Sequence, residues 1–313
     1  MDFKVSVIIP VYNCENYIAR SIQSVLAIEE VTELIIVDDG STDFTFRICE
    51  DFKKNDPRVK ISFHEGKKNR GVSASRNLGI KNAKNNFIAF LDADDYYLPN
   101  RFKATSENFS FDESIDGVFE MIGIHSHSGE VNIYSVIEPV SPDILFESLQ
   151  PLGHKVWFHI DGLTVKKSAF TKTGYFDESL KTSEDTLHWF KMASICKLVP
   201  GEVKKIVALS EKISTGLSSN RSQVEKDFIL MLLKLFKFSD INHLGISKKE
   251  LVVSKLLYFI SRPPYNYYYN GLNRISLFAK LISVSPGYLI FKSSSFRLSI
   301  GNLFSYKGFY LFR

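Results

Sequence analysis

The chain has 313 residues, 44% hydrophobic and 24% charged, a globular composition with enough length for one large α/β domain plus an appendage, or for two domains. Its three cysteines, Cys14, Cys49 and Cys196, are widely spaced and odd in number, which argues against a disulfide framework or a metal knuckle and fits a reducing compartment. The net charge of +4 is uneven. Residues 1–224 carry 26 Lys/Arg against 31 Asp/Glu and residues 225–313 carry 13 against 4, which is not the balance of a nucleic-acid-binding protein but fits a basic, aromatic tail that meets an anionic surface.

Met1-Asp2-Phe3-Lys4 leads straight into an apolar strand, so no signal peptide is read. No uncharged apolar run reaches the roughly 18 to 20 residues that span a bilayer. The run Ile275 to Phe291 is interrupted by Lys280 and Pro286. The expected location is cytoplasmic, with the tail peripheral at the inner face of a membrane.

In chain order, Val5-Ser6-Val7-Ile8-Ile9-Pro10 reads as a short strand covered on both faces, as in parallel sheets. Tyr12-Asn13 follows as a loop, and a helix starts at Glu15 or Asn16 with Ile18, Ile22, Val25 and Leu26 at helical spacing. Leu34-Ile35-Ile36-Val37 is a second strand. It ends at Asp38-Asp39-Gly40-Ser41-Thr42-Asp43, where Gly40 permits a tight turn and Thr42 or Asp43 caps the next helix. Val59 to Phe63 is a third strand, a loop with Gly71 precedes a helix over Val72 to Ala83, and Phe87 to Leu91 is a fourth strand. Phe102 to Phe109 reads as helix, Gly117 to Phe119 and Val131 to Ile137 as strands, and Glu184 to Ala193 as helix. His125 and His127 read as an exposed hairpin turn rather than a zinc site, because no further ligands stand at metal-like spacing. The tail reads as two or three helices, either a small subdomain or a monotopic membrane contact.

The fourth strand runs into Asp92-Ala93-Asp94-Asp95. Carboxylates at the mouth of an apolar strand repel one another, and a hard cation such as Mg²⁺ or Mn²⁺ removes that penalty while gripping a substrate diphosphate. Repeated strand–helix units with polar residues at the C-terminal strand ends place a ligand crevice there.

Five blocks in order resemble the family 2 glycosyltransferases: residues 5–13, Ile35 to Asp43, Gly71-Val72-Ser73-Ala74-Ser75-Arg76-Asn77, Phe90 to Asp95, and Gly174-Tyr175-Phe176-Asp177-Glu178 followed by Glu184-Asp185. The resemblance covers about residues 3–200 and not the tail beyond Val224. It implies an α/β fold, a GT-A-like doubly wound mixed sheet flanked by helices, with a C-terminal helical extension. The expected division is a catalytic domain over 1–224 (a nucleotide-binding half over 1–100, an acceptor half over 101–224) and the extension over 225–313. It implies a UDP-sugar donor, a glycan or lipid-linked glycan acceptor, and Mn²⁺ or Mg²⁺.

By the same resemblance Pro10 and Tyr12 pack on the nucleotide base, and Asp39, with Asp38 as the alternative, accepts the uracil N–H. Asp92 or Asp94 touches the ribose, Asp94 or Asp95 binds metal, with Asp94 the preferred ligand, and Asp185 is the catalytic base. Trp157 and Glu184 fall among the acceptor contacts, with His154, His159 and Asp161-Gly162 in the same region; Trp157 either stacks on a sugar ring or belongs to the core. Arg76 either reaches the phosphate or base, or is a surface arginine with i,i+4 contacts. One base opposite the leaving group gives inversion in a single displacement. Ser214 stands where many relatives carry a His that completes the metal shell. No Gln-x-x-Arg-Trp signature follows Asp185, which implies non-processive addition of one sugar in surface-polysaccharide assembly. The rival expectation is a non-catalytic sugar-nucleotide-binding or scaffold protein that keeps the fold.

Overall fold

The computed structural model describes residues 2–125, 130–133, 136–153, 156–211, 221–242 and 244–260. The first half alternates strand and helix: β1 (Val5–Val11), α1 (Ile18–Leu26), β2 (Val31–Asp38), α2 (Thr45–Asn55), β3 (Val59–Phe63), α3 (Val72–Asn82) and β4 (Phe87–Phe90). The second half is more broken: β5 (Tyr96–Tyr97), α4 (Lys103–Phe111), β6 (Gly117–Phe119), β7 (Ile122–His125), β8 (Val131–Ile133), α5 (Pro142–Ser148), β9 (Leu163–Lys166), α6 (Ala169–Thr173), α7 (Glu184–Ile195), β10 (Leu198–Pro200) and β11 (Ala208–Glu211). The helices α8 (Arg221–Ile241) and α9 (Ile246–Ile260) follow.

Seven strands form one mixed sheet in the order β10-β6-β9-β4-β1-β2-β3. The chain steps outward from β1 through β2 to β3, then returns to place β4 on the other side of β1, all four parallel. The order therefore reverses between β1 and β4, and that switch point opens a crevice beyond the strand ends. All of β1 and β4 is buried. On α1 the buried stripe is Ile18, Ser21, Ile22 and Val25. Gly79 lets α3 lie directly on β1, since a Cβ there would meet the Ile8 side chain at 2.4 Å.

β9 inserts antiparallel between β4 and β6 and makes the sheet mixed. A fully buried ion pair fixes it. Arg101 Nη1 donates to Glu120 Oε2 at 2.6 Å, and its remaining nitrogens donate to the carbonyls of Asp161 (2.7 Å) and Leu163 (3.1 Å). Thr105 also donates to Glu120 Oε2 (2.9 Å), so the buried carboxylate is hydrogen-bonded as well as paired. A second sheet has the order β5-β11-β7-β8.

Three expectations shift. The first long helix begins at Ile18 rather than at Asn16, because Tyr17 and Ile18 both donate to the Cys14 carbonyl in a preceding turn. His125 lies in β7 and bonds Glu211 at 3.0 Å instead of sitting in a hairpin turn. Of Val131 to Ile137, residues 131–133 are strand; His127, residues 134–135, His154, Ser214 and the tail from 261 lie outside the described residues.

Contacts divide the chain into units of residues 1–219 and 220–313. In the second, α8 and α9 pack together, with Leu232, Leu235 and Phe236 buried on α8 and Val252 and Leu256 on α9. Among the described residues no helix is long and apolar enough to cross a membrane.

His188 on α7 is fully buried, its ring stacked 4.4 Å from Phe176 and 5.4 Å from Phe170, with neither nitrogen hydrogen-bonded. Burial, helped by Lys191 and Arg76, lowers its pKa from 6.5 to about 3. The unfolded chain takes up this proton below pH 6.5 while the folded chain does not, so stability falls as pH drops through that window. His188→Phe keeps the ring stack and removes the titration. Between pH 7 and pH 5 the variant is expected to lose about 2 kcal/mol less unfolding free energy than the parent, measured by urea denaturation.

Candidate active site

The turn after β4 carries the carboxylates and is held by its carbonyls. The Ser21 hydroxyl on α1 lies 2.7 Å from the Ala93 carbonyl and 2.6 Å from that of Asp95, and Arg20 Nη2 donates to the Asp94 carbonyl (2.9 Å). Ser24 Oγ accepts the Tyr97 N–H (3.0 Å), and Asp95 N–H closes on the Asp92 carbonyl (3.0 Å). The side chains are left to face their own partners.

Those partners are mostly other acids. Burial, followed by the Asp92 charge, pushes Asp94 up to about 7. Burial and the neighbouring Asp161 hold Asp95 well above the carboxylate range. Asp95 is 2% exposed and its Oδ1 accepts the Glu211 N–H at 2.7 Å. Asp161, just before β9, is fully buried; its Oδ1 accepts the Asp92 N–H (3.1 Å). Its Oδ2 has no directed hydrogen bond, with His159 Nδ1 3.2 Å away. Burial opposes the charge on both members of this pair, but each outweighs that for the other: Asp161 is held below its ordinary range and His159 raised to about 9.

Ligand atoms of Asp95, His159 and Asp161 lie within 4.8 Å of one another. Asp161 Oδ2, met by the His159 ring, sits among acids held above their ordinary range in an oxygen-rich site. Such residues fit a hard divalent cation.

At the neighbouring strand ends, Val11 pairs with Asp38, and Asp39 N–H donates to the Val11 carbonyl (2.8 Å). The Asp39 carboxylate accepts the N–H groups of Arg70 (2.7 Å) and Gly71 (2.8 Å) and so clasps the loop that enters α3. Gly40, at φ +83°, sits where a Cβ would meet the Lys67 carbonyl at 2.6 Å, so the same loop closes over it. Asp38 Oδ1 is occupied by the Ser41 N–H (2.9 Å) inside the turn. Tyr12 is 51% exposed at the rim, whereas Pro10 is buried within β1, paired with Val37. Of the two residues expected against a base, the structure thus presents the Tyr12 ring at the surface.

Arg76 is no surface arginine. It is 4% exposed on α3, with Nη2 donating to Asp92 Oδ1 (2.8 Å) and Nη1 to Glu184 Oε1 (2.7 Å). Glu184, expected among the acceptor contacts, is turned inward by this pair; burial and the Asp185 charge push it up to about 7 against the pull of Arg76. Asp185 follows it, half-buried, in the first turn of α7. Trp157 is half-buried beyond the Leu149–Val156 bridge. The acids of the β4 turn, Asp161, His159 and the start of α7 are therefore one contiguous cluster. His159 and Asp161, expected in the acceptor region, stand instead against the acid turn, and the structural partners that sequence reasoning missed are Arg20 and Ser21 on α1.

The family model for glycosyl transferase family 2 matches residues 6–170. The minor teichoic acid biosynthesis protein GgaA of Bacillus subtilis is 35% identical over 190 residues, 58% of this chain and 41% of that protein. An uncharacterized glycosyltransferase of Rickettsia typhi is 35% identical over 198 residues, 61% of this chain and 59% of that protein. The chain thus spans 41% and 59% of the length of these relatives. Among solved structures, S. aureus TarS 1–349 in complex with UDP-GlcNAc superposes with a TM-score of 0.64 at 22% identity, covering 96% of this chain and 81% of that one. The mannosyltransferase PcManGT from Pyrobaculum calidifontis, in complex with GDP-Man and Mn²⁺, gives 0.56 at 15% identity, covering 97% and 88%. These likenesses establish the fold, GT-A.

Asp39→Ala removes both acceptors that hold the 70–71 backbone, whereas Asp39→Asn keeps one. Hydrogen exchange at the Arg70 and Gly71 amides is expected to accelerate by about tenfold or more in the alanine variant, and by less in the asparagine variant.

Proposed function

The chain belongs to glycosyl transferase family 2, and from that membership we propose that it transfers a single sugar from a UDP-sugar to a glycan or lipid-linked glycan acceptor in surface-polysaccharide assembly. One observation supports the reading: the Asp39 clasp leads into α3, and Arg76 on α3 joins the acid turn after β4 to the start of α7, beside the switch point of a single sheet. A binding module needs only the clasp and the acid turn. The start of α7 adds a half-buried carboxylate, Asp185, where an acceptor hydroxyl must lose its proton.

In this reading Tyr12 offers a ring face to the uracil. The Asp39 carboxylate, already organised by two backbone N–H groups, accepts the base N–H, and Asp92 meets the ribose. Asp94 and Asp95 would hold Mn²⁺ or Mg²⁺, with Asp161 and His159 completing the donor set. When bound, such an ion stabilises the departing diphosphate as a Lewis acid. Asp185 accepts the proton of the attacking hydroxyl. With a single base and no second nucleophile the displacement inverts the anomeric centre. Trp157 is assigned to the acceptor side.

Two features support a membrane contact through residues 225–313: a surplus of basic residues, 13 Lys/Arg against 4 Asp/Glu, and a run of aromatic residues at 265–269. Location on the cytoplasmic face follows from that reading.

Asp185→Asn is expected to lower acceptor-dependent UDP release by two to four orders of magnitude, on the order of what a positioned base contributes, while UDP still binds by calorimetry in the presence of Mn²⁺. Near-parental turnover in this variant overturns the assignment of the base. UDP binding by the parent, without UDP release on any acceptor of a teichoic-acid or lipid-linked panel, would favour the non-catalytic reading. In flotation assays the chain is expected to co-migrate with vesicles containing anionic lipid at low salt and to dissociate at high salt. Equal partition onto neutral vesicles sinks the membrane reading.

A further inference from the structure

Arg76 lies on α3, but neither carboxylate it binds does. Asp92 is 16 residues away on the acid turn and Glu184 is 108 residues away on α7. The side chain is buried, both terminal nitrogens are taken at 2.7–2.8 Å, and Glu184 is covalently next to Asp185. The guanidinium also lies over the Phe176 ring, 5.5 Å from its centroid, and that ring stacks on His188 at 4.4 Å, one helical turn beyond Glu184. Phe176 is itself clasped by the next α3 residue: Asn77 Nδ2 donates to the Phe176 carbonyl (2.9 Å) and Phe176 N–H donates to Asn77 Oδ1 (2.9 Å). One side chain thus grips α7 twice, by charge at its first residue and through an aromatic ring one turn later.

We propose that Arg76 and Glu184 are positioning residues that fix the distance between the donor-side carboxylate Asp92 and the base Asp185. This rests on the reading of Asp185 as the base. A planar fork can hold two carboxylates in a fixed relation, while a lysine ammonium, a point charge on a flexible stem, cannot reproduce both contacts. A misplacement of about 1 Å at a reacting hydroxyl costs on the order of 100-fold in rate. Asp92 is one of several donor contacts, alongside Tyr12 and Asp39, so such a displacement is felt far more in turnover than in nucleotide affinity.

The test compares Arg76→Lys, Glu184→Gln, their double variant and Asp185→Asn. The readouts are kcat and KM for a UDP-sugar, UDP affinity and stoichiometry by calorimetry with Mn²⁺, and thermal melting. Arg76→Lys is expected to bind UDP within about twofold of the parent at full stoichiometry while kcat falls about 100-fold. Glu184→Gln keeps an acceptor for Nη1 and should lose about tenfold, and the double variant should be no worse than Arg76→Lys, since both changes cut one link. An Arg76→Lys kcat within about threefold of the parent, with Asp185→Asn inactive, overturns the positioning role but leaves the base assignment standing. Loss of UDP affinity in step with kcat also overturns it, by making Arg76 a donor ligand. Normal turnover in Asp185→Asn removes the base reading and the proposal with it. If Arg76→Lys does not melt cooperatively, the Glu184→Gln split between kcat and UDP affinity decides: no fall in kcat overturns the proposal.

Discussion

Six carboxylates, those of Asp92, Asp94, Asp95, Asp161, Glu184 and Asp185, crowd one edge of the sheet against two buried or half-buried cations, Arg76 and His159. Like charges brought out of water at this density are unstable unless some of them stay protonated or gain compensation. The raised Asp94 and Asp95 are the first outcome; the Arg76 fork and the Asp161–His159 pair are the second. Each compensation also fixes geometry, because a cation between two acids sets their separation. The electrostatic problem and the placement of the chemistry are thus solved by the same side chains.

The topology makes that crowding achievable. Parallel pairing of β2, β1 and β4 carries three strand ends to one level, and the reversal of strand order leaves the crevice open between β1 and β4. β9 then brings Asp161 up from the opposite direction, locked by the Arg101–Glu120 pair through the carbonyls of Asp161 and Leu163. The acid that orders the Asp92 N–H is therefore held by a cation that never reaches the crevice.

The first four strands and their helices were legible because each strand is a short apolar or alternating run closed by turn residues and α1 and α2 show apolar stripes, while α3, whose buried face is largely polar, was marked by the Gly71 loop before it. The carboxylates at their ends were legible for the same reason: they interrupt a buried run where no charge belongs. β9 was not. Its four residues, Leu163 to Lys166, alternate over too short a run to stand out, and its place is decided by pairing with Ala89 on one side and Val118 on the other. Of the two sequence readings of Arg76 the structure excludes the surface arginine, since its partners lie on other elements and local spacing holds no trace of them. The pairing of Glu184, the other end of the same contact, was equally out of reach of local spacing.

The acid turn is moored by groups that are blind to side-chain identity. Ser21, Ser24 and Arg20 engage main-chain atoms of residues 93–97, not the Asp92 or Asp94 carboxyls. Amide-for-acid exchange at Asp92 or Asp94 therefore alters charge while leaving the main-chain scaffold bonded as before. A loop built in this way can change its charge without being refolded.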